Sequence, residues 1–164
     1  MQSRLTIRRA FSAWLLVLAS TTTGACTASV PDTDAVVAHD YGHYWEVLQE
    51  VRAGSSIPVA NLEEVAAGTL LRSLTADVNS MRSLGEVYVG SPKRNVESVE
   101  VTNTRAYVLD CIDISGWMLA PEATKVAIPG QLVQEEPALY EFTLALKDDA
   151  WFVTVSQQVD HCAL

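Results

Sequence analysis

The stretch YEFTLALK, residues 140–147, alternates apolar side chains with polar or small ones. A period of two residues places the apolar side chains on one face of a strand, which is typical of an antiparallel sheet covered on one side. The residues KDDA at 147–150 then predict a turn into a second strand, Trp151 to Val159. The chain is therefore predicted to end in a β-hairpin on a half-covered sheet.

Upstream of this hairpin, the two-residue period begins at residue 86. It predicts a short strand at 86–90 and two longer strands at 96–101 and 106–114, which form a hairpin around residues 102–105. Between the two hairpins lies the segment 117–137, which contains three prolines. No regular structure is predicted for this insertion.

Ahead of the strands, three segments have the 3.6-residue period of helices. Residues 36–53 place one apolar stripe on a helix: Val37, Tyr41, Tyr44, Trp45, Leu48 and Val51. A short helix is predicted at 62–67 and a third at 69–84, separated by Gly68. Helices followed by antiparallel strands predict an α+β fold, with three N-terminal helices packed on one face of the sheet.

The N-terminus has the pattern of an export signal. Arg4, Arg8 and Arg9 occur without any acid before an apolar run at 10–19, which is the order found in signal peptides. The run is too short to cross about 30 Å of hydrocarbon, which takes about 20 apolar residues. Residues 1–25 are therefore predicted to be a signal peptide, and the Arg8-Arg9 pair leaves general and twin-arginine export both open.

The sequence Thr23-Gly24-Ala25-Cys26 resembles the lipobox of bacterial lipoproteins, whose cysteine is acylated and becomes the mature N-terminus. Gly24, Ala25 and Cys26 match the lipobox, whereas Thr23 departs from its usual Leu. The resemblance implies that Cys26 anchors the protein to the outer face of the cytoplasmic membrane. The alternative is plain cleavage after Ala25 and secretion. Residues 26–35 are then the anchor and tether, and 36–164 a single domain.

The three cysteines of an exported chain leave one odd thiol unless one of them has another role. If Cys26 carries lipid, Cys111 and Cys162 remain as an even pair. Such a pair normally forms a disulfide in an oxidising compartment, and two buried free thiols are the alternative.

Charge excludes some partners. Without residues 1–25 the chain has 8 Lys and Arg against 20 Asp and Glu, a net charge near −12. Nucleic acid and anionic lipid head groups are therefore not expected to bind. His39 and His43 share a helix face, but two histidines do not make a metal site, and a solvated face is the simpler interpretation. No metal and no cofactor is predicted.

Four features together resemble a group of exported proteins and lipoproteins in the nuclear transport factor 2-like superfamily. They are the pair Tyr44-Trp45, the strand Ala106-x-Val108-x-Asp110-Cys111-x-Asp113-x-Ser115, the penultimate strand, and Trp151-x-Val153 leading to Cys162. The resemblance implies a curved sheet wrapped on three helices into a cone, with a Cys111–Cys162 bridge tying the last strand to a central one. The superfamily includes isomerases, dehydratases, polyketide cyclases and non-catalytic members, so this fold does not decide the function.

Five residues are candidates for lining a pocket in such a cone: Tyr41, Tyr44, Asp110, Asp113 and Trp117. Asp110 and Asp113 alternate across one strand, so at most one of them points inward. A buried carboxylate beside a helix-one tyrosine could act as a base with an oxyanion donor, as in the isomerase members of the superfamily.

The simpler interpretation of Asp110 is structural: it caps a turn or pairs with Arg94 or Arg105. No nucleophile, base and oxyanion donor are grouped by a recognisable motif. The predicted function is therefore a non-enzymatic extracytoplasmic lipoprotein that binds a small apolar ligand or an envelope protein. The alternative is an isomerase- or dehydratase-like enzyme that uses Asp110 or Asp113 with Tyr41 or Tyr44.

Overall fold

The computed structural model describes residues 32–131 and 136–164. The predicted signal peptide and Cys26 lie outside these residues. Within them the chain forms an α+β fold of helices and antiparallel strands, which confirms the predicted class. The elements, in chain order, are α1 Thr33–Ala53, a 3₁₀ helix Val59–Glu64, α2 Gly68–Ser83, β1 Glu86–Val89, β2 Lys93–Thr102, β3 Arg105–Asp113, β4 Met118–Pro121, β5 Ala138–Lys147 and β6 Ala150–His161.

Helix α1 buries the stripe that its sequence predicts. All six stripe residues are buried, and Val47 joins them. Asp32 caps the helix by accepting a hydrogen bond from the Asp34 backbone N–H at 3.2 Å. The helix therefore begins at Thr33 and takes in the last three residues of the predicted tether.

The three predicted helices correspond to two α-helices and one 3₁₀ helix. The predicted short helix at 62–67 is a 3₁₀ helix that begins earlier, at Val59. A short helix is marginal by itself, and 3₁₀ turns are frequent as connectors between longer helices. Gly68 does not end that segment but begins α2, with a φ of 64°.

The main sheet has the strand order β2-β3-β5-β6, and every neighbouring pair is antiparallel. The predicted hairpin of β2 and β3 is confirmed, with β2 beginning earlier, at Lys93. Irregularities between Val96 and Ser98, and at two places along the β5–β6 pair, interrupt the register. Bulges of this kind bend a strand and increase its twist.

Strand β4 lies in the insertion for which no structure was predicted. It pairs with β1 in a second, two-stranded sheet, with Val87 opposite Ala120 and Tyr88 opposite Leu119. The Gln131 side chain closes the insertion by bonding both the N–H and the C=O of Leu119. Across residues 32–131 and 136–164, no helix is long and apolar enough to span a membrane.

The core lies between the helices and one face of the four-stranded sheet. β3 contributes Ala106, Val108, Asp110 and Ile112 to this inner face, all buried. Cys111 follows Asp110 and therefore points to the outer face. There it forms a disulfide with Cys162 near the end of the chain, with the Cα atoms 5.9 Å apart.

Candidate functional site

Tyr41 and Asp110 form a buried, hydrogen-bonded pair in the core. Helix α1 directs Tyr41 at β3, where its hydroxyl donates a hydrogen bond of 2.7 Å to Asp110 Oδ2. Tyr41 is 1% exposed and Asp110 0%. Arg94 of β2 approaches the same oxygen at 3.4 Å. Asp110 therefore pairs with Arg94, one of the two arginines expected from the sequence.

Burial dominates the protonation of these groups. It raises the pKa of Asp110, and the Tyr41 hydrogen bond and the Arg94 charge oppose the rise. Burial also raises the pKa of Tyr41, and the Asp110 charge adds to it. The pKa of Tyr44 rises to about 12, again through burial, against the opposing charges of Arg52 and Arg94. Both phenols therefore stay protonated at neutral pH, and the Tyr41 phenol donates to Asp110.

Asp113 lies apart from this pair, at the end of β3. It accepts a hydrogen bond of 2.8 Å from the Ser115 N–H, and Lys93 lies 3.3 Å away. Hydrogen bonds from the Ser115 side chain and backbone lower the pKa of Asp113, and Lys93 lowers it further. Asp113 thus closes a turn.

A pocket of about 170 Å³ lies between the two α-helices and the inner face of the sheet. Of the five predicted pocket residues, Tyr44 and Trp117 line it. Tyr41, Asp110 and Asp113 are not among its lining residues. The lining residues are Tyr44, Trp45, Leu48, Arg52, Leu70, Leu74, Ile112, Ile114, Trp117, Tyr140, Phe142 and Ser156.

The walls of the pocket are held by ring-on-ring packing. The Trp45 ring lies 6.1 Å from Trp117 and 6.0 Å from Phe142, measured between centroids. Trp117 in turn packs on Tyr88 of β1 at 4.8 Å. Tilted and edge-to-face aromatic pairs of this kind prefer fixed geometries, so these rings hold one another in position. The insertion that carries Trp117 therefore completes the site.

Arg52 is the one charged residue among the described residues that line the pocket, and it was not among the predicted pocket residues. Its guanidinium carbon lies 5.1 Å from the ring centroids of both Tyr88 and Trp117, and its Nη2 pairs with Asp77 of α2. The helical spacing contains the clue, because Arg52 follows Trp45 by seven residues and Leu48 by four. Residues at these steps share one helix face.

The metal interpretation finds no support in the described part of the chain, where no three potential metal ligands cluster. His39 and His43 are both exposed. His43 Nδ1 lies 3.5 Å from Glu46 one turn further along the helix.

A second depression, of about 280 Å³, lies on the outer face of the sheet and is lined by Ser98, Glu100, Tyr107, Leu109 and Glu141.

No protein-family model and no curated protein sequence matches the chain. Solved structures do match. The intermembrane space region of the chloroplast protein ARC6 has a TM-score of 0.61 at 20% identity, over 79% of this chain and 99% of that one. The two share a fold.

Two further structures widen this comparison. A conserved protein from Planctomyces limnophilus has a TM-score of 0.50 at 8% identity, over 77% of this chain and 98% of that one. An NTF-2 like protein of unknown function from Silicibacter pomeroyi has a TM-score of 0.45 at 12% identity, over 76% and 94%. At 8% identity the likeness to the Planctomyces limnophilus protein concerns the fold alone.

Proposed function

We propose that this chain is an exported, membrane-anchored, non-catalytic protein whose nuclear transport factor 2-like cone holds a small apolar ligand. The observation that carries the proposal is the aromatic pocket between α1, α2 and the sheet. An engineered protein cavity of about 150 Å³ lined by Leu, Ile and Phe binds benzene. At about 170 Å³, this pocket suits a ligand with one ring or a branched chain of similar size.

The arrangement of the acids favours binding over catalysis. A general base must reach the proton that it abstracts, directly or through one water. Asp110 is fully buried against Tyr41 and Arg94, and neither Asp110 nor Tyr41 lines the pocket. Among the described residues that do line it there is no carboxylate and no histidine. The isomerase-like alternative would require Asp110 to become accessible.

The extracytoplasmic and membrane-anchored part of the proposal depends on the sequence of residues 1–26. The arginine-rich start, the apolar run and Cys26 support export followed by acylation. The match to an intermembrane space region of a chloroplast protein fits a domain that works outside the cytoplasm. Binding to an envelope protein stays an alternative prediction.

Titration of the purified protein with toluene tests the pocket. We expect saturable shifts of the Trp45 and Trp117 indole signals in NMR spectra. Leu70→Phe narrows the pocket and should weaken toluene binding at least tenfold, because Leu70 is a lining residue. Leu71→Phe is the matched control, since Leu71 is the next residue, is also half-buried and does not line the pocket. If toluene leaves both indoles unshifted, or if the two variants behave alike, the proposal fails.

A further inference from the structure

We infer that the ligand of this pocket is a monocarboxylate whose acid group binds Arg52 and whose apolar body fills the aromatic cavity. The inference rests on the proposed function and specifies its ligand class. Arg52 lines the pocket, and its side chain is 14% exposed. Within residues 32–131 and 136–164 it is the one charged group among the lining residues.

The hydrogen bonding of Arg52 is incomplete. A guanidinium offers five N–H donors and no acceptor. Nη2 bonds Asp77, whereas Nε is buried and has no hydrogen-bond partner among the described residues. A buried donor without an acceptor is costly, and native structures rarely leave one unpaired. A ligand oxygen in the pocket would supply the acceptor.

Tyr44 offers a second donor to the same ligand. It lines the pocket, is 2% exposed, and its hydroxyl makes no hydrogen bond within the described part of the chain. Arg52 lies close enough to oppose the rise in the pKa of Tyr44, which still reaches about 12. The phenol is therefore protonated at neutral pH. The indole N–H of Trp45 also lacks a partner at hydrogen-bond distance. It lies near enough to the Tyr41 hydroxyl to lower the pKa of Tyr41, so we assign it no contact with the ligand.

Charge complementarity selects an anionic oxygen over a neutral one. Hydrogen bonds between a guanidinium and a carboxylate are roughly twice as strong as bonds between neutral groups. The chain as a whole is acidic, with a net charge of −9, so it repels ions of high negative charge. A ligand with a single carboxylate on an apolar body satisfies both conditions. Burial of the apolar body favours binding, and Arg52 compensates the one negative charge.

Benzoate and toluene have similar size and differ in the carboxylate, so together they test the inference on the full-length protein. We expect the wild-type protein to bind benzoate at least tenfold more tightly than toluene, about 1.4 kcal/mol. Arg52→Met should abolish this preference, so that benzoate binds this variant no more tightly than toluene does, with both Kd values measured on the variant itself. Asp77→Asn removes the negative charge that competes for Arg52 and should leave benzoate binding intact or tighter.

The two probes separate the possible failures. If toluene binds but benzoate binds no more tightly in the wild type, the carboxylate inference is overturned and the proposed function stands. If toluene does not bind, the proposed function fails, and the inference that rests on it fails as well. If Arg52→Met does not fold, Arg52→Lys retains the charge without the Nε donor. An unchanged benzoate Kd in Arg52→Lys would overturn the role given to Nε.

Discussion

The Tyr41 hydroxyl and Asp110 Oδ2, 2.7 Å apart, join α1 to β3 across 69 residues of sequence. Neither side chain reaches solvent. The bond therefore fixes the position of α1 on the sheet and places the next turn of the helix, with Tyr44 and Trp45, against the pocket. A tyrosine and an aspartate that resemble a catalytic pair from the sequence are thus part of the framework of the site.

Replacing Tyr41 with Phe should destabilise the protein. The variant removes one hydrogen bond and leaves the buried Asp110 oxygen short of a donor, so the free energy of unfolding should fall by about 1–3 kcal/mol. Urea denaturation measures the change. Tyr44→Phe is the control, because the Tyr44 hydroxyl makes no hydrogen bond within the described residues, and its cost should be smaller. Equal losses in the two variants would show that the Tyr41–Asp110 hydrogen bond adds nothing measurable to the free energy of unfolding.

The raised pKa of Asp110 predicts a pH dependence of stability. The folded chain holds the Asp110 proton more firmly than the unfolded chain does, so the free energy of unfolding should fall as pH rises above the ordinary Asp value of about 3.9. Asp110→Asn should lack this slope. Denaturation of both proteins between about pH 4 and pH 8 checks the difference.

Asp113 is the control for this pH series, because its pKa is lowered, mainly by Ser115. The contribution of Asp113 to the free energy of unfolding is complete above the ordinary Asp pKa, and it is lost as pH falls through the lowered pKa. When the series is extended below about pH 4, the difference in the free energy of unfolding between wild type and Asp113→Asn should therefore shrink, opposite in sign to the Asp110 effect. The same sign for both variants would contradict the assignment.

Gly90 should tolerate substitution far less well than Gly85. Both have a positive φ, 79° and 69°, so alanine costs about 1–2 kcal/mol of backbone strain at either position. A Cβ at residue 90 would also overlap the carbonyl oxygen of Gly116, whereas residue 85 has open space. Gly90→Ala should thus lower the melting temperature clearly more than Gly85→Ala, and equal shifts would mean that the close approach to Gly116 is easily relieved.

The Cys111–Cys162 disulfide should contribute strongly to stability. It closes a loop with a sequence separation of 51, which corresponds to about 4 kcal/mol on the chain-entropy model. A Cys111→Ala/Cys162→Ala variant should therefore unfold at lower urea concentration than the oxidised protein, and added reductant should not change it further. Non-reducing peptide mapping of the exported protein should recover the two cysteines as one linked pair. Two free thiols would refute the pairing.

Acylation of Cys26 is a prediction from the sequence that lies outside the described residues. Growth of an expressing bacterium with radiolabelled palmitate should label the wild-type protein. A Cys26→Ala form should stay unlabelled and be shed to the medium, since the anchor is then missing. Equal labelling of both forms would refute acylation at Cys26. An unlabelled wild-type protein found in the medium would favour plain secretion.

Local patterns decided the parts of the fold that the sequence predicted well. The α1 stripe from Val37 to Val51 is buried as its spacing requires, and the strands at 96–101, 106–114 and 140–147 lie within or close to the observed ones. These features depend on side-chain periodicity within one element, which is visible in a few consecutive residues.

The candidate site was predicted only in part, because its members meet through tertiary contacts. Tyr44 and Trp117 were expected and do line the pocket. Asp110 and Asp113 differ in role because one faces the core and the other ends the strand, which alternation alone leaves open. Arg52 was not predicted to line the pocket, because a charged residue at the end of a helix is usually solvated.

By itself, the sequence determined the α+β class, the covered face of the sheet and the buried face of α1, because each follows from the period of apolar side chains along one element. Only the tertiary structure decided that β4 pairs with β1 and that Trp117 and Arg52 meet at the pocket. The β1–β4 pairing joins residues about 30 positions apart and includes the close approach of Gly90 to Gly116. Contacts of this range depend on how the rest of the chain packs, and no local period encodes them.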